Sequence, residues 1–201
     1  MPWKPLKYLL EGNLLVEVGY LNTLVKKDVR IKELSSIIIL SALGGIASAP
    51  LGYAGRLLST LPFLSPITSQ ALSGLHVFWI VLSALLVGRH GSATMTGVLK
   101  GLVEAFLFSH LGILVILISA VEGVVVDIMF YVLKKNNSIS IYIAGGFSSA
   151  SNVIVLIPIL HLPTIVIALM FLSSYVSGLI FGGHLSKLVF KALPSNLQNI
   201  F

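Results

Sequence analysis

The sequence predicts an all-α integral membrane protein, a single bundle of about six transmembrane helices with both termini in the cytoplasm. Three observations predict it. Apolar residues make up 56% of the 201-residue chain and charged residues only 10%, so lipid is the solvent for most of the molecule. The apolar residues fall in long runs separated by turn signals, and helix is the structure to expect because open strands cannot satisfy their backbone groups in lipid. The cations gather at alternate connections, which is the signature of an orientation.

A helical span needs roughly 20 residues, so about seven crossings is the ceiling and one bundle the natural result. Residues 1–33 read as a cytoplasmic or interfacial amphipathic arm, because Glu11 and Glu17 interrupt any run long enough for a signal-peptide core. Residues 34–192 form the six-helix domain and 193–201 a short tail. The expected spans are Leu34–Leu58, Ile67–Val87, Ser92–Ser109, Ile113–Leu133, Ile139–Leu160 and Pro163–Phe190. Pro62 and Pro66, Gly88 to Gly91, Gly112, Asn136 with Asn137, and His161-Leu162-Pro163 mark the connections. The first outer connection, Tyr53 to Pro66, is long enough to act as a lid.

Orientation follows from charge. Lys4, Lys7, Lys26, Lys27, Arg30 and Lys32 precede the first span, Arg89 follows the second, Lys134 and Lys135 follow the fourth, and Lys187 and Lys191 close the sixth. All lie on one side of a six-span chain, which the positive-inside rule makes cytoplasmic. Cations in those positions serve topology, so the basic balance does not point to nucleic acid.

Several function classes lack their residues. Cysteine is absent, which removes disulfides, thiol nucleophiles and cysteine metal knuckles. No phosphate loop, H-E-x-x-H pair or G-x-S-x-G elbow occurs, and no histidine cluster has zinc spacing. The chain is therefore expected to bind no cofactor or metal and to perform no catalysis, any ATP drive coming from a partner. Two alternatives stay open beside a binding subunit: a stand-alone secondary transporter, and a small intramembrane enzyme pairing Glu104 with His76 or His110.

An ionisable group in hydrocarbon costs about 2.5–3.5 kcal/mol even on the lenient insertion scale, so each needs a partner or a job. Glu104 lies about five residues in from its outer helix end, and His76, Glu122, Asn152 and Ser173 about eight to ten, or roughly 12–15 Å. Trp79 is slightly deeper. Five helices thus offer polar or aromatic groups to one outward-facing layer, and the expected substrate-binding residues are His76, Trp79, Glu104, Glu122 and Asn152. Lys100 stands four residues before Glu104 on one helix face, so mutual neutralisation is the competing reading of that pair. Asp127 is nearer the basic end and is expected to snorkel or to meet Lys134 or Lys135. On the first span, Ser41, Gly45 and Ala49 form a small-residue stripe suited either to packing within the bundle or to docking another membrane subunit.

With these residues in view, the chain resembles the substrate-binding S components of energy-coupling-factor (ECF) vitamin transporters, especially the YkoE-like group associated with hydroxymethylpyrimidine or thiamine. The resemblance runs through Leu75-His76-Val77-Phe78-Trp79-Ile80, Leu102-Val103-Glu104-Ala105, Gly145-Gly146-Phe147-Ser148-Ser149, and Ser177-Gly178-Leu179-Ile180 with Gly182-Gly183. It implies a multi-pass cell-membrane subunit that captures a vitamin or precursor from outside. Its implied partners are a membrane coupling subunit, contacted through Ser41, Gly45 and Ala49, and two cytoplasmic ATPases. For an aminopyrimidine ligand, Glu104 or Glu122 would accept hydrogen bonds from the amino group while Trp79 stacks on the ring.

Overall fold

The computed structural model describes residues 31–48, 50–55, 57, 65–107, 112–134, 137–160 and 162–194. Residues 1–30 of the N-terminal arm, most of the expected lid, the tail beyond residue 194, and Ala49, His110 and His161 lie outside them. Among the described residues the regular structure is entirely helical. The helices are α1 (Ile31–Gly55), α2 (Ser65–Gln70), α3 (Ser73–Val87), α4 (Ser92–Phe106), α5 (Leu114–Leu133), α6 (Ser138–Leu160), α7 (Thr164–Ser177) and α8 (Ser186–Ala192), with Gly178–Leu185 wound as a π-helix between the last two. Ile31 to Glu33, assigned to the arm by sequence, are the first turn of α1.

Among the described residues, five stretches are long and apolar enough to cross a membrane: Ile31–Gly55, Ile67–Val87, Leu114–Leu133, Ser138–Pro158 and Thr164–Ala192. The third expected span, Ser92–Ser109, is represented by α4, only 15 residues long, or roughly 22 Å against a hydrocarbon core of about 30 Å. Its short length goes with its content: it carries buried Lys100 and Glu104 and packs most extensively against α5.

Side-chain contacts show the up-and-down path. Arg89 Nη1 donates to Glu33 Oε2 at 2.6 Å and Tyr142 meets His184 at 3.0 Å, joining four connections or span ends at the basic end. At the other end Ser173 Oγ donates to the Ile67 carbonyl at 3.2 Å and Ser177 Oγ to the Ala71 carbonyl at 2.6 Å. Between α3 and α4 the chain reverses through Gly88 and Gly91, at φ 72° and 87°, values that an L side chain rarely adopts.

The central element is α3. Val77, Ile80, Val81, Ala84 and Leu85 are buried against Ala93 of α4, Val126 and Phe130 of α5, and Ile141 and Ala144 of α6. This apolar core fills the basic half of the bundle. Glycines then bring backbones together: a Cβ on Gly145 of α6 would stand 2.5 Å from the Gly183 nitrogen and 2.6 Å from the Gly178 oxygen. The wider π turn keeps Gly178, Gly182 and Gly183 on one face toward α6, where a regular α-helix would rotate Gly183 away.

Two local features depart from the sequence reading. The second span is broken at Ala71–Leu72, between α2 and α3. The Gly74 N–H, which a continuous helix would direct at the Gln70 carbonyl, donates instead to Ser177 Oγ at 3.0 Å, and Ser73 Oγ takes the Gln70 carbonyl at 2.6 Å, so the break leaves those groups satisfied. Asp127 pairs with the start of α4, while Lys135 lies outside the described residues. Its carboxylate accepts from the Thr94 N–H at 2.8 Å, Thr94 Oγ1 at 2.6 Å and the Ala93 N–H at 3.4 Å. An acid at the positive end of α4 satisfies N–H groups that have no helical acceptor, which is why it stays inside.

Candidate functional site

Above the apolar core, away from the basic end, the polar residues converge. Lys100 is 1% exposed. Its Nζ lies 3.1 Å from Glu104 Oε2 and 3.3 Å from Ser119 Oγ of α5. The other Glu104 oxygen faces His76 Nδ1 at 3.9 Å. Thus α3, α4 and α5 are joined by a buried chain of His76, Glu104, Lys100 and Ser119, and the mutual neutralisation expected for Lys100 and Glu104 is present.

Glu122 lies three residues beyond Ser119 on α5 and is 1% exposed. Neither of its carboxylate oxygens has a hydrogen-bond donor among the described residues, although it lies within electrostatic range of Lys100 and Glu104. Its backbone carbonyl accepts from Ser148 Oγ of α6 at 2.8 Å. One turn farther along α6, the buried amide oxygen of Asn152 is also without a donor. Buried polar atoms are rarely left so, because each forfeits its water without replacement.

Trp79 forms one wall. Its ring makes an edge contact with Phe78 at a centroid distance of 5.0 Å, and a Cβ on Gly44 of α1 would meet Trp79 Cβ and Cγ at 2.9 Å and Lys100 Cδ at 3.3 Å. The bare Gly44 backbone therefore lets α1 close over the tryptophan and the lysine together. Of the five residues expected from sequence, His76 faces Glu104, Trp79 and Lys100 both lie against Gly44, Glu122 is within electrostatic range of Lys100 and Glu104, and Asn152 stands one turn beyond Ser148, which bonds the Glu122 carbonyl. Ser173 does not contribute, since its hydroxyl is engaged by Ile67 at the helix break.

The α1 stripe faces inward where it is described. Ser41 is buried and donates to the Ile37 and Thr96 carbonyls, at 2.6 Å and 3.2 Å, and a Cβ on Gly45 would stand 2.6 Å from Val103 Cγ1. Packing within the bundle thus uses the face that the resemblance offers to a coupling subunit. The outward face of α1 consists instead of Leu34, Ile38, Ile39, Leu43 and Ile46.

Other polar groups of the site were not singled out by sequence. Buried Gln70 Oε1 and Ser48 Oγ have no partner among the described residues. Ser73, Ser149 and Ser174 join α3, α6 and α7 through hydroxyl contacts of 2.7, 2.8 and 3.0 Å. Ser48 had a signal, falling seven residues after Ser41 on the small-residue face of α1. Gln70 had none, because its burial depends on the break that follows it.

Residues 32–152 match the family model of the ABC-type cobalt transport system, permease component. The chain belongs to that family. It is accordingly a multi-pass membrane component of a transport system and not an enzyme. Among solved structures, one described as "Crystal structure of an S-component of ECF transporter" aligns with a TM-score of 0.73 and 22% identity, covering 79% of this chain and 82% of that one. The fold of this permease component is therefore the S-component fold. No curated protein sequence matches it.

Proposed function

We propose that the chain is the substrate-capture subunit of an ECF-type importer. It binds a small nitrogenous vitamin or precursor, hydroxymethylpyrimidine or thiamine, from the outer side through His76, Trp79, Glu104, Glu122 and Asn152. A membrane coupling subunit and two ATPases would then drive release inward. The observation that carries this reading is the buried carboxyl group of Glu122, which has no donor among the described residues, together with the equally donorless amide oxygen of Asn152 on the adjoining helix. Such a group calls for N–H donors brought by a ligand, and a heteroaromatic amine supplies them together with a face for the indole.

The family description names cobalt, and a bare cobalt ion is the second cargo to weigh. Its donor set does not fit. No group of three or more His, Cys, Asp or Glu able to hold a metal occurs among the described residues, and the ammonium of Lys100, bonded to Glu104, repels a dication. An organic cargo accords better with these residues.

Equilibrium binding to the detergent-solubilised protein, followed by tryptophan fluorescence across thiamine, hydroxymethylpyrimidine, riboflavin, biotin and a cobalamin precursor, tests the proposal. Saturable, stoichiometric retention of a pyrimidine is expected. Retention of none, or accumulation in proteoliposomes by this chain alone under an ion gradient, would overturn it.

A further inference from the structure

Lys100 is among the largest fully buried side chains of the molecule, and a capture subunit for nitrogenous ligands has no evident need of an ammonium in its pocket. Its contacts suggest one. It holds Glu104 at 3.1 Å and touches Ser119, one helical turn before Glu122, yet among the described residues neither Glu122 oxygen has a donor. One cation thus lies within electrostatic range of two acids and, among the described residues, bonds one of them.

We infer that Lys100 is a positioning residue for specificity: by engaging Glu104 it reserves Glu122 as the carboxylate that receives the ligand's N–H group. The inference rests on the capture reading and refines it, since the resemblance implied Glu104 or Glu122 as the acceptor without choosing between them. On this refinement Glu104 contributes to binding by holding the lysine, and the contact with the ligand belongs to Glu122. His76, 3.9 Å from the free side of Glu104, helps keep that acid turned toward α3 and α4. Glu122 and Asn152 then present acceptors from α5 and α6, so the recognised edge of the ligand bears N–H donors.

The arrangement makes a distinctive prediction. In Glu104→Gln, Lys100 loses its carboxylate, and Glu122 is the other acid within its electrostatic range; the ammonium turns there and competes with the ligand. Removing the lysine as well frees Glu122 again. Binding of hydroxymethylpyrimidine and of its analogue lacking the exocyclic amino group is measured on the solubilised full chain, with thermal melting to confirm folding. Glu104→Gln should weaken binding of the amino compound by about tenfold or more, and Lys100→Met/Glu104→Gln should recover most of that loss, a non-additivity only a coupled pair can give. Glu122→Gln should reduce the preference for the amino compound over its analogue by about tenfold or more, because the group that demands the donor is gone.

If the double variant binds as weakly as Glu104→Gln while melting normally, Glu104 itself contacts the ligand and the inference fails. An unchanged amino preference in Glu122→Gln also overturns it, with the capture reading intact. Failure of the wild-type chain to retain any compound of the vitamin panel removes the capture reading, and the inference with it.

Discussion

The two halves of the bundle are built on opposite principles. Toward the basic end, α3 is enclosed by aliphatic side chains and glycine-mediated helix contacts, and the acid found there, Asp127, is fully used in capping α4. Toward the other end the bundle carries Lys100, Glu104, Glu122, Gln70 and Asn152, and several buried acceptors have no donor among the described residues. The first half is packed for its own stability. The second leaves hydrogen-bonding capacity unspent, which costs stability and has a rationale only if something else completes it. Acceptors left incomplete on one side alone accord with the proposed capture from that side.

The largest effect should come from the unfinished half. Glu122→Leu should abolish ligand binding, seen as loss of saturable retention, while the melting temperature stays level or rises, because a donorless buried carboxylate is replaced by an apolar group. A fall in melting temperature would place Glu122 with the structural acids. Next, Lys100→Met should destabilise the fold by about 3–5 kcal/mol by leaving Glu104 buried without its cation; unfolding in mixed detergent and denaturant measures it. The closed half should answer differently. Ile80→Ala should cost about 2 kcal/mol, toward the lower end of core truncations because lipid is as apolar as the protein interior, and should leave ligand affinity unchanged. Smallest is Arg89→Ala, which removes an exposed ion pair with Glu33 and should change stability by less than about 1 kcal/mol, with no change in binding.

Much of the layout was legible in the sequence because lipid enforces it. The run from Leu114 to Leu133 and the turn at Gly88 to Gly91 fall where hydropathy and glycine place them, since an unsatisfied backbone in hydrocarbon is costly wherever it occurs. The approach of His76 on α3 to Glu104 on α4 was legible for a related reason: in antiparallel helices, depth can be counted from the ends. The bonds that Asp127 makes were hidden because its partners are backbone N–H groups and a hydroxyl on another helix, and sequence spacing reports only neighbours on the same one. The break at Ala71–Leu72 was equally hidden, since the hydroxyl of Ser177, more than 100 residues away, is what makes it tolerable.

The sequence by itself therefore determined the class, the positions of most spans and the depth of the polar layer, for these depend on one-dimensional quantities: run length, charge placement and residue count. Only the tertiary structure decided how each helix is rotated about its axis. That rotation turned Ser41 and Gly45 into the bundle, put Lys100 on Glu104 and left Glu122 without a donor. Rotation is set by close packing between helices, and a few ångströms of side-chain reach decide which acid receives the cation.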